Sequence, residues 1–302
     1  MARLSATTLD LSRYPAPLAI RGIDFEGIVS ARKQRLLALY GENDIAYNVQ
    51  MLESDPGIIL EEADAYRELL TLARVNDAVR AVMVAFATGS DLDHLGAFYG
   101  VQRRVIVPAT DTTAAVYEND AEFRRYVLLA PEAWAAAGPI GAYVFHAGQA
   151  DAEVLNADVW TVHGSGVVNV AIQSRVGDGL ASDELVERVA AHLNRNDIKP
   201  LTDHVVVRSV VNVPYAIDVQ CFVLPGPDPM MAKQEVQASL AAMAAARRTP
   251  SRDVPRSAVY AAASVGAVDH VLVAEPVADI ARGHGEVAVC TGIEVTVSTH
   301  DG

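Results

Sequence analysis

The sequence is poor in cysteine and in aromatic residues, and each shortage argues against a class of protein. Two cysteines, Cys221 and Cys290, are too few for the disulfide framework of a small secreted domain, so we expect buried thiols in a reducing compartment. Aromatic residues make up 6% of the chain, hydrophobic residues as a whole 51% and charged residues 21%. This composition is typical of a folded globular protein and argues against disorder.

Basic residues are also scarce. The chain has 24 Lys and Arg against 38 Asp and Glu, which gives a net charge of −14. Residues 1–104, 105–210 and 211–302 carry net charges of −3, −7 and −4, so no third of the chain is basic. Binding to a nucleic-acid backbone depends on Lys and Arg side chains that neutralise phosphates. The sequence therefore predicts no nucleic-acid partner.

Long apolar runs are missing as well. No uncharged apolar segment reaches 18 residues, and residues 1–5 lead into no run of the length that a signal peptide needs. We therefore expect a protein that is made in the cytoplasm and does not insert into a membrane. At 302 residues the chain is long enough for two or three domains with sizeable cores.

Motifs for metal, nucleotide and acyl-transfer chemistry do not occur. The eight histidines form no H-E-x-x-H and no pair four residues apart. Asp91, Asp93 and His94 cluster, but they occupy the first turn of a predicted helix, where acidic residues are favourable without a metal. The stretch at 163–166 lacks a glycine that a nucleophile elbow needs, and no glycine-rich nucleotide loop is present. The sequence thus predicts no catalytic residue, no metal ligand and no cofactor.

One stretch, from Asp55 to Gly89, organises the rest of the chain. Asp55 is placed to cap the first free amides, and Pro56 suits the first helical position because its missing N–H has no partner there anyway. Gly89 suits the left-handed conformation that ends many helices. These signals predict one central helix of 33 residues, about 50 Å long.

Two apolar stripes run along this predicted helix. The first has the four-three spacing of a helix–helix seam, and the second covers another face. Asp77 and Arg80 interrupt the apolar C-terminal half and argue against a membrane span. The residues leave two alternatives open: a helix in the core of this chain, and a helix in a bundle of several chains. The interface candidates are Ile59, Ala63, Tyr66, Leu70 and Ala73 in the first stripe, and Leu69, Leu72, Val79, Met83 and Phe86 in the second.

The pattern changes at Arg104, where helical periodicity gives way to mixed elements. Alternating residues predict strands, for example at 167–172 and 215–221, and Ser182 and Asp228 are placed to cap helices. No regular alternation of strands and helices indicates a doubly wound parallel sheet. We therefore predict an α+β fold with an N-terminal arm and helical region (1–104), a middle α/β domain (105–210) and a C-terminal α/β domain (211–302).

Ten short segments carry a family resemblance through their order, and the match as a whole covers roughly residues 10–298. They are Ser54–Pro56, Ala65–Leu69, Arg74–Ala78, Ala85–Leu95, Phe123–Arg125, Leu129–Glu132, Gly138–Tyr143, Arg195–Asp203, Pro225–Asp228 and Arg252–Ser257. No single segment is diagnostic. Together they resemble the baseplate assembly protein J, or baseplate J-like, family of contractile phage tails and related injection machines.

The resemblance implies a structural protein and no enzyme. It implies a baseplate wedge protein of a phage, a tailocin or a related injection system, in an inner ring around the central hub. Its helical region is then expected to bundle with a second copy and with another wedge subunit, and Asp77 and Arg80 become candidate pins for the register of that bundle.

The resemblance also implies where the protein works and what it meets. It places the chain in the bacterial cytoplasm during assembly and in the tail baseplate afterwards. It adds the hub and sheath-initiating proteins to the expected partners. Two rival classes remain as alternatives, an α/β enzyme with an unrecognised active site and a free-standing module that binds a small molecule.

Overall fold

The computed structural model describes residues 17–46, 55–135, 138–162, 164–226 and 228–299. The chain divides into two compact units. The helical unit runs up to Arg103 and includes Asn119–Val127, and the sheet unit holds Arg104–Glu118 and the chain from Leu128 onward. None of the described helices is long and apolar enough to cross a membrane.

Among the described residues, the helical unit contains four α-helices, of which the last continues into the sheet unit. They are α1 (Phe25–Glu42), α2 (Pro56–Ala81), α3 (Gly89–Phe98) and α4 (Asp120–Ala133).

The central helix α2 begins where the sequence predicts and ends earlier. The Asp55 carboxylate accepts a hydrogen bond from the Gly57 amide at 2.7 Å, and Pro56 is the first helical residue. The helix stops at Ala81, so it has 26 residues and the predicted 33 were wrong. Gly89 does adopt a positive φ of 53°, but it is the first residue of α3.

The segment that follows α2 is held by a side chain that lies far along the chain. Arg124 on α4 donates from Nε to the Val84 carbonyl at 2.6 Å and from Nη2 to the Ala87 carbonyl at 2.7 Å. These two carbonyls therefore have a guanidinium partner in place of the amides of a further helical turn. The chain between α2 and α3 forms turns instead of helix.

In its described part, the sheet unit contains two three-stranded mixed sheets and a two-stranded hairpin. The hairpin pairs β1 (Val105–Val107) with β2 (Val116–Tyr117). The first sheet has the order β3-β4-β5, and the second has the order β7-β6-β8. Each sheet combines one antiparallel and one parallel pair: β3/β4 and β4/β5 in the first, β6/β7 and β6/β8 in the second.

The elements of each sheet follow one another in the chain, which confirms the α+β fold class with two small mixed domains. Around the first sheet lie α5 (Ile140–Ala150), β3 (Val154–Thr161), β4 (Val167–Ser174), α6 (Asp183–Leu193) and β5 (His204–Ser209). Around the second lie β6 (Val211–Val223), α7 (Pro229–Arg247), α8 (Arg256–Ala263), β7 (Val268–Glu275) and β8 (Glu286–Thr299). The domain boundaries at residues 104 and 210 stay a prediction.

Each sheet buries one face under its helices. Ser182 and Asp228 cap α6 and α7 as predicted, through hydrogen bonds from the amides of Leu185 and Met230. In the first core, Leu185 and Val189 are fully buried with Ile172 of β4. The second core shares this pattern, and its fully buried members include Val219, Cys221, Val236 and Leu240. Burial raises the pKa of the Cys221 thiol, as expected for an inert core cysteine.

The two sheets meet at a joint that combines a buried apolar cluster of Ala171, Val210 and Val287 with polar contacts beside it. Strand β5 runs into β6 with only Val210 between them. Across the joint, the Asp158 carboxylate of β3 accepts hydrogen bonds from the Gly285 amide at 2.9 Å and from the Ser251 hydroxyl. The Trp160 ring stacks on His284, with ring centroids 5.0 Å apart. These contacts and the buried Val210 hold both sheets in one unit.

Candidate interaction surface

One face of α2 is occupied by α1. Ile58 and Ala65 of α2 are fully buried, and the two helices pack along this side. Arg32 of α1 pairs with Glu61 at 2.9 Å and also reaches two further carboxylates of α2. Lys33 pairs with Glu62 at 2.9 Å. The row of acidic residues early in α2 therefore sets the register of α1 against α2.

The Arg32 guanidinium is held by three carboxylates at once. Burial opposes its charge, but Glu68, Glu61 and Asp64 outweigh that cost and raise the pKa of the guanidinium. Each partly exposed pair contributes little free energy by itself, since exposed ion pairs are typically worth about 0–1 kcal/mol. The network mainly orients α1, and it leaves the other faces of α2 uncovered by α1.

The first predicted stripe lies on such an uncovered face. Ile59, Tyr66 and Leu70 are 51%, 55% and 49% exposed, and Ala63 is exposed with them. Ala73 is partly buried. Ile59 and Tyr66 directly follow the buried residues Ile58 and Ala65. One position turns the helix by about 100°, so these two side chains point away from the buried face. We name Ile59, Ala63, Tyr66, Leu70 and Ala73 the seam; the described residues of this chain leave most of it open to solvent.

The second predicted stripe is not one continuous helical face. Leu69 and Leu72 are partly buried, and Leu72 lines an open cleft of about 460 Å³ between α1 and α2. Val79 is also partly buried. Met83 and Phe86 lie beyond the end of α2, so the prediction that they extend a helical stripe was wrong. Their position follows from the turns that Arg124 holds.

The two candidate pins pair with each other. Arg80 donates to the Asp77 carboxylate at 3.1 Å, and their side chains are 47% and 70% exposed. Within the described chain this is a surface pair with an (i, i+3) spacing, which stabilises a helix only slightly. Whether the pair sets register between chains stays a prediction.

Sequence reasoning missed Asn76, a buried polar residue of α2. It is 6% exposed. Its Oδ1 accepts from the Arg21 amide at 3.1 Å, and its Nδ2 donates to the Arg21 carbonyl at 2.9 Å. Asn76 thus ties the segment before α1 to α2. The signal that could have found it is an amide side chain at an apolar position, because buried polar groups need partners.

The acidic cluster at the start of α3 has a structural partner. Arg103 pairs with Asp93 and with Asp120 of α4, and its guanidinium lies 4.9 Å from the centroid of the Phe123 ring. Burial acts to raise the pKa of the Asp120 carboxyl. The hydrogen bonds that Asp120 accepts from Arg103 and from the Gly89 amide outweigh burial and lower this pKa. Among the described residues no group of three His, Cys, Asp or Glu side chains is arranged to hold a metal ion.

Comparisons with known proteins cover nearly the whole chain. Family models match at residues 53–110 (Baseplate J-like N-terminal domain), 135–209 (Baseplate J-like central domain) and 215–296 (Baseplate J-like protein C-terminal domain). Baseplate protein J of Escherichia phage P2 is 37% identical over 299 residues, which covers 97% of this chain and 99% of that protein.

A solved structure shows a much weaker likeness. A chain in the six-fold symmetrised cryo-EM structure of the anti-feeding prophage baseplate aligns with a TM-score of 0.37 and 13% identity. The alignment covers 49% of this chain and 36% of that chain. A likeness this slight does not show a shared fold.

Proposed function

Because this chain belongs to the baseplate J-like family and is a component of a contractile-tail baseplate, we propose that it is a wedge subunit. In this proposal it joins neighbouring wedges into the inner ring around the hub. It associates with a second copy and with another wedge subunit, and the hub and sheath-initiating proteins are further partners. Assembly takes place in the bacterial cytoplasm before the chain enters the tail.

The seam on α2 is the observation that supports this proposal. Three large apolar side chains, Ile59, Tyr66 and Leu70, are each about half exposed at the spacing of a helix-docking face. Burying the exposed half of such a side chain contributes roughly 0.7–1.5 kcal/mol. Since α1 and its ion pairs hold a neighbouring face of α2, the seam is a preformed surface.

Two further exposed apolar residues of α2 lie outside the seam. Leu60 and Val75 are 67% and 50% exposed, but 15 positions, about 22 Å of helix, separate them, so they do not form a second continuous surface. We assign the seam to the second copy of this chain. The division of the chain at residues 104 and 210 belongs to the same proposal.

The proposed role is structural and non-enzymatic. The P2 relative is named as a baseplate protein. Neither rival class, the α/β enzyme nor the small-molecule module, has a specific observation in its favour among the described residues. The cleft between α1 and α2 is open and is lined by Asp24, Arg32 and Arg35. Arg32 is paired with Glu61, and Arg35 is paired with Glu42.

The test is co-expression of the tagged chain with its neighbouring tail proteins, followed by native mass spectrometry of the purified complexes. We expect a defined complex with more than one copy of this chain, and we expect Leu70→Glu to reduce its yield about tenfold or more, since a buried unpaired charge is costly. Thr71→Glu is the matched control, because it adds the same charge at an exposed position beside the seam.

Two results would overturn the proposal. One is a wild-type chain that stays monomeric and captures no tail protein. The other is an equal loss of complex with Leu70→Glu and Thr71→Glu, which would show that added charge and not the seam is responsible.

A further inference from the structure

The outer face of the second sheet is open beyond the joint. Strands β6, β7 and β8 bury one face against α7 and α8, so every second side chain points to the other side. The joint covers the start of this outer face, where Val287 of β8 is fully buried. Further along, Gln220 of β6 and its partner Thr296 of β8 are both exposed. The described residues of the chain therefore leave this part of the sheet without a cover.

Aromatic and apolar side chains lie on this open face. Phe222 of β6 and His270 of β7 are partners across the two strands, and their rings stack with centroids 4.2 Å apart and planes within 7° of each other. Leu272, two residues further along β7, is 53% exposed. A sheet face that meets only water normally carries polar side chains at such positions. The stacked pair and the leucine instead form an anchor for apolar side chains of a partner.

The formal charges around this anchor have one sign. The three strands carry five acidic residues and no lysine or arginine. Asp218 of β6 is in register with Glu275 of β7 and with Glu294 of β8, so the three acidic residues cross the sheet in one row. Within the described ranges the side chains of this row have no ion pair and no hydrogen bond. Like charges on neighbouring strands are unfavourable, and positive charge on a partner would offset them.

We propose that this open face binds a basic segment of another tail protein. We name it the acidic–aromatic face; it consists of Asp218, Glu275 and Glu294 with Phe222, His270 and Leu272. Arginine or lysine side chains of the bound segment lie on the row of carboxylates, and an apolar side chain packs on Leu272 and the stacked rings. Asp218 and Phe222 are four residues apart on β6, about 13 Å, so one short segment spans both parts. Arginine suits the face best, because its guanidinium pairs with carboxylates and also stacks on aromatic rings.

Two other occupants do not match the charge of the acidic–aromatic face. A second copy of this chain brings the same carboxylates and a net charge of −14. A nucleic acid brings phosphates against carboxylates. The inference rests on the proposed function only in that the partner is another tail protein. It adds the place and the chemistry of that contact, and it does not use the seam on α2.

The first test titrates the full chain with labelled synthetic peptides and follows binding by fluorescence anisotropy. The probe is a peptide of alternating arginine and leucine. Peptides with glutamate in place of arginine, or with serine in place of leucine, test the charged and the apolar parts of the contact separately. We expect the arginine–leucine peptide to bind less tightly as salt is added, and each substituted peptide to bind roughly tenfold more weakly or not at all. Equal affinities for the arginine–leucine and arginine–serine peptides would contradict the apolar anchor.

Matched charge variants locate the peptide on the chain. Asp218→Asn with Glu294→Gln neutralises two carboxylates of the row at almost unchanged size. Asp111→Asn with Glu187→Gln removes the same charge at two exposed positions outside the second sheet. We expect the first double variant to weaken peptide binding roughly tenfold and the second to leave it nearly unchanged. Equal affinities in the two double variants, or a wild-type chain that does not bind the peptide, would overturn the proposal.

Photo-cross-linking identifies the partner in the assembled complex. Benzoylphenylalanine replaces Leu272 on the acidic–aromatic face, or Tyr260 on α8 as the control, and the chain is co-expressed with its neighbouring tail proteins. We expect Leu272, and not Tyr260, to cross-link to a segment of another tail protein that carries arginine or lysine. A complex that assembles without this cross-link, or with Leu272 linked to another copy of this chain, would overturn the inference and leave the proposed function standing. A failure to assemble would instead contradict the proposed function, and the peptide titration would still decide this inference.

Discussion

Arg104 and Glu118 form a buried ion pair that ties the β1/β2 hairpin to the first sheet domain. Their side chains are 9% and 0% exposed, and the Arg104 Nη2 lies 2.8 Å from the carboxylate. The same guanidinium donates from Nη1 to the carbonyls of Gly148 and Val154 at 3.0 and 3.1 Å. One side chain thus links the hairpin, the end of α5 and the start of β3.

Removing the Glu118 charge should destabilise the sheet unit strongly. Glu118→Gln leaves the buried Arg104 charge without its counter-ion, and we expect a loss of about 3–5 kcal/mol in the free energy of unfolding. Urea unfolding followed by circular dichroism measures this loss. Glu42→Gln is the control, since Glu42 forms an exposed pair with Arg35 and should change stability by less than about 1 kcal/mol. Similar losses for both variants would show that burial of the pair is unimportant.

Gly96 should not accept even a methyl group. A Cβ at this position would lie 2.9 Å from Cε1 of Phe123 and closer still to Cζ, and the Phe123 ring is fully buried. We expect Gly96→Ala to lower the melting temperature of the helical unit and cost roughly 1–3 kcal/mol. Gly41→Ala is the matched control, because a methyl group added there would meet no atom within 4 Å. A second-site Phe123→Leu should recover part of the loss; no recovery would place the clash elsewhere.

Two histidines should make the first sheet domain sensitive to mild acid. His146 of α5 and His192 of α6 lie with ring centroids 6.2 Å apart. Burial lowers the pKa of both rings; His192 adds to the effect at His146 and Arg195 adds to it at both, while Asp197 opposes it. The folded state therefore disfavours the protonated rings, and below about pH 6.5 the unfolded chain binds more protons.

The first sheet domain should therefore lose stability as the pH falls from about 6.5 toward the lowered pKa values of the two histidines in the folded protein. We expect the urea midpoint to fall between about pH 7.5 and pH 5.5, and His192→Gln to flatten that slope. His204→Gln, at an exposed position of β5, is the control and should leave the slope unchanged. An unaltered slope in His192→Gln would contradict the assignment.

Local signals in the sequence predicted those features whose partners are near in the chain. Asp55, Ser182 and Asp228 each cap a helix through an amide two or three residues ahead, so the start of each helix could be predicted. Strand alternation in β4 and β6 was equally local. The fold class followed from these elements.

Features that depend on distant partners could not be predicted. The turns after α2 are held by Arg124, which lies 40 residues from Val84. The partner of Asn76 lies 55 residues away. The sequence shows the apolar spacing of the seam and of the buried face of α2. Which of these two faces stays exposed depends on where α1 packs. The apolar periodicity of a sequence predicts which faces of a helix are apolar, but it does not predict which element packs against each face.

The joint at Val210 has a mechanical consequence. With one residue between β5 and β6, the backbone is a continuous tie from one sheet to the next, and Val210 is 2% exposed. A pull along β5 therefore passes straight into β6, which lies between two strands of its own sheet. The parallel pairs β4/β5 and β6/β8 meet such a load in shear, where many hydrogen bonds share it at once. The sheet unit is therefore suited to transmit tension from one sheet to the other.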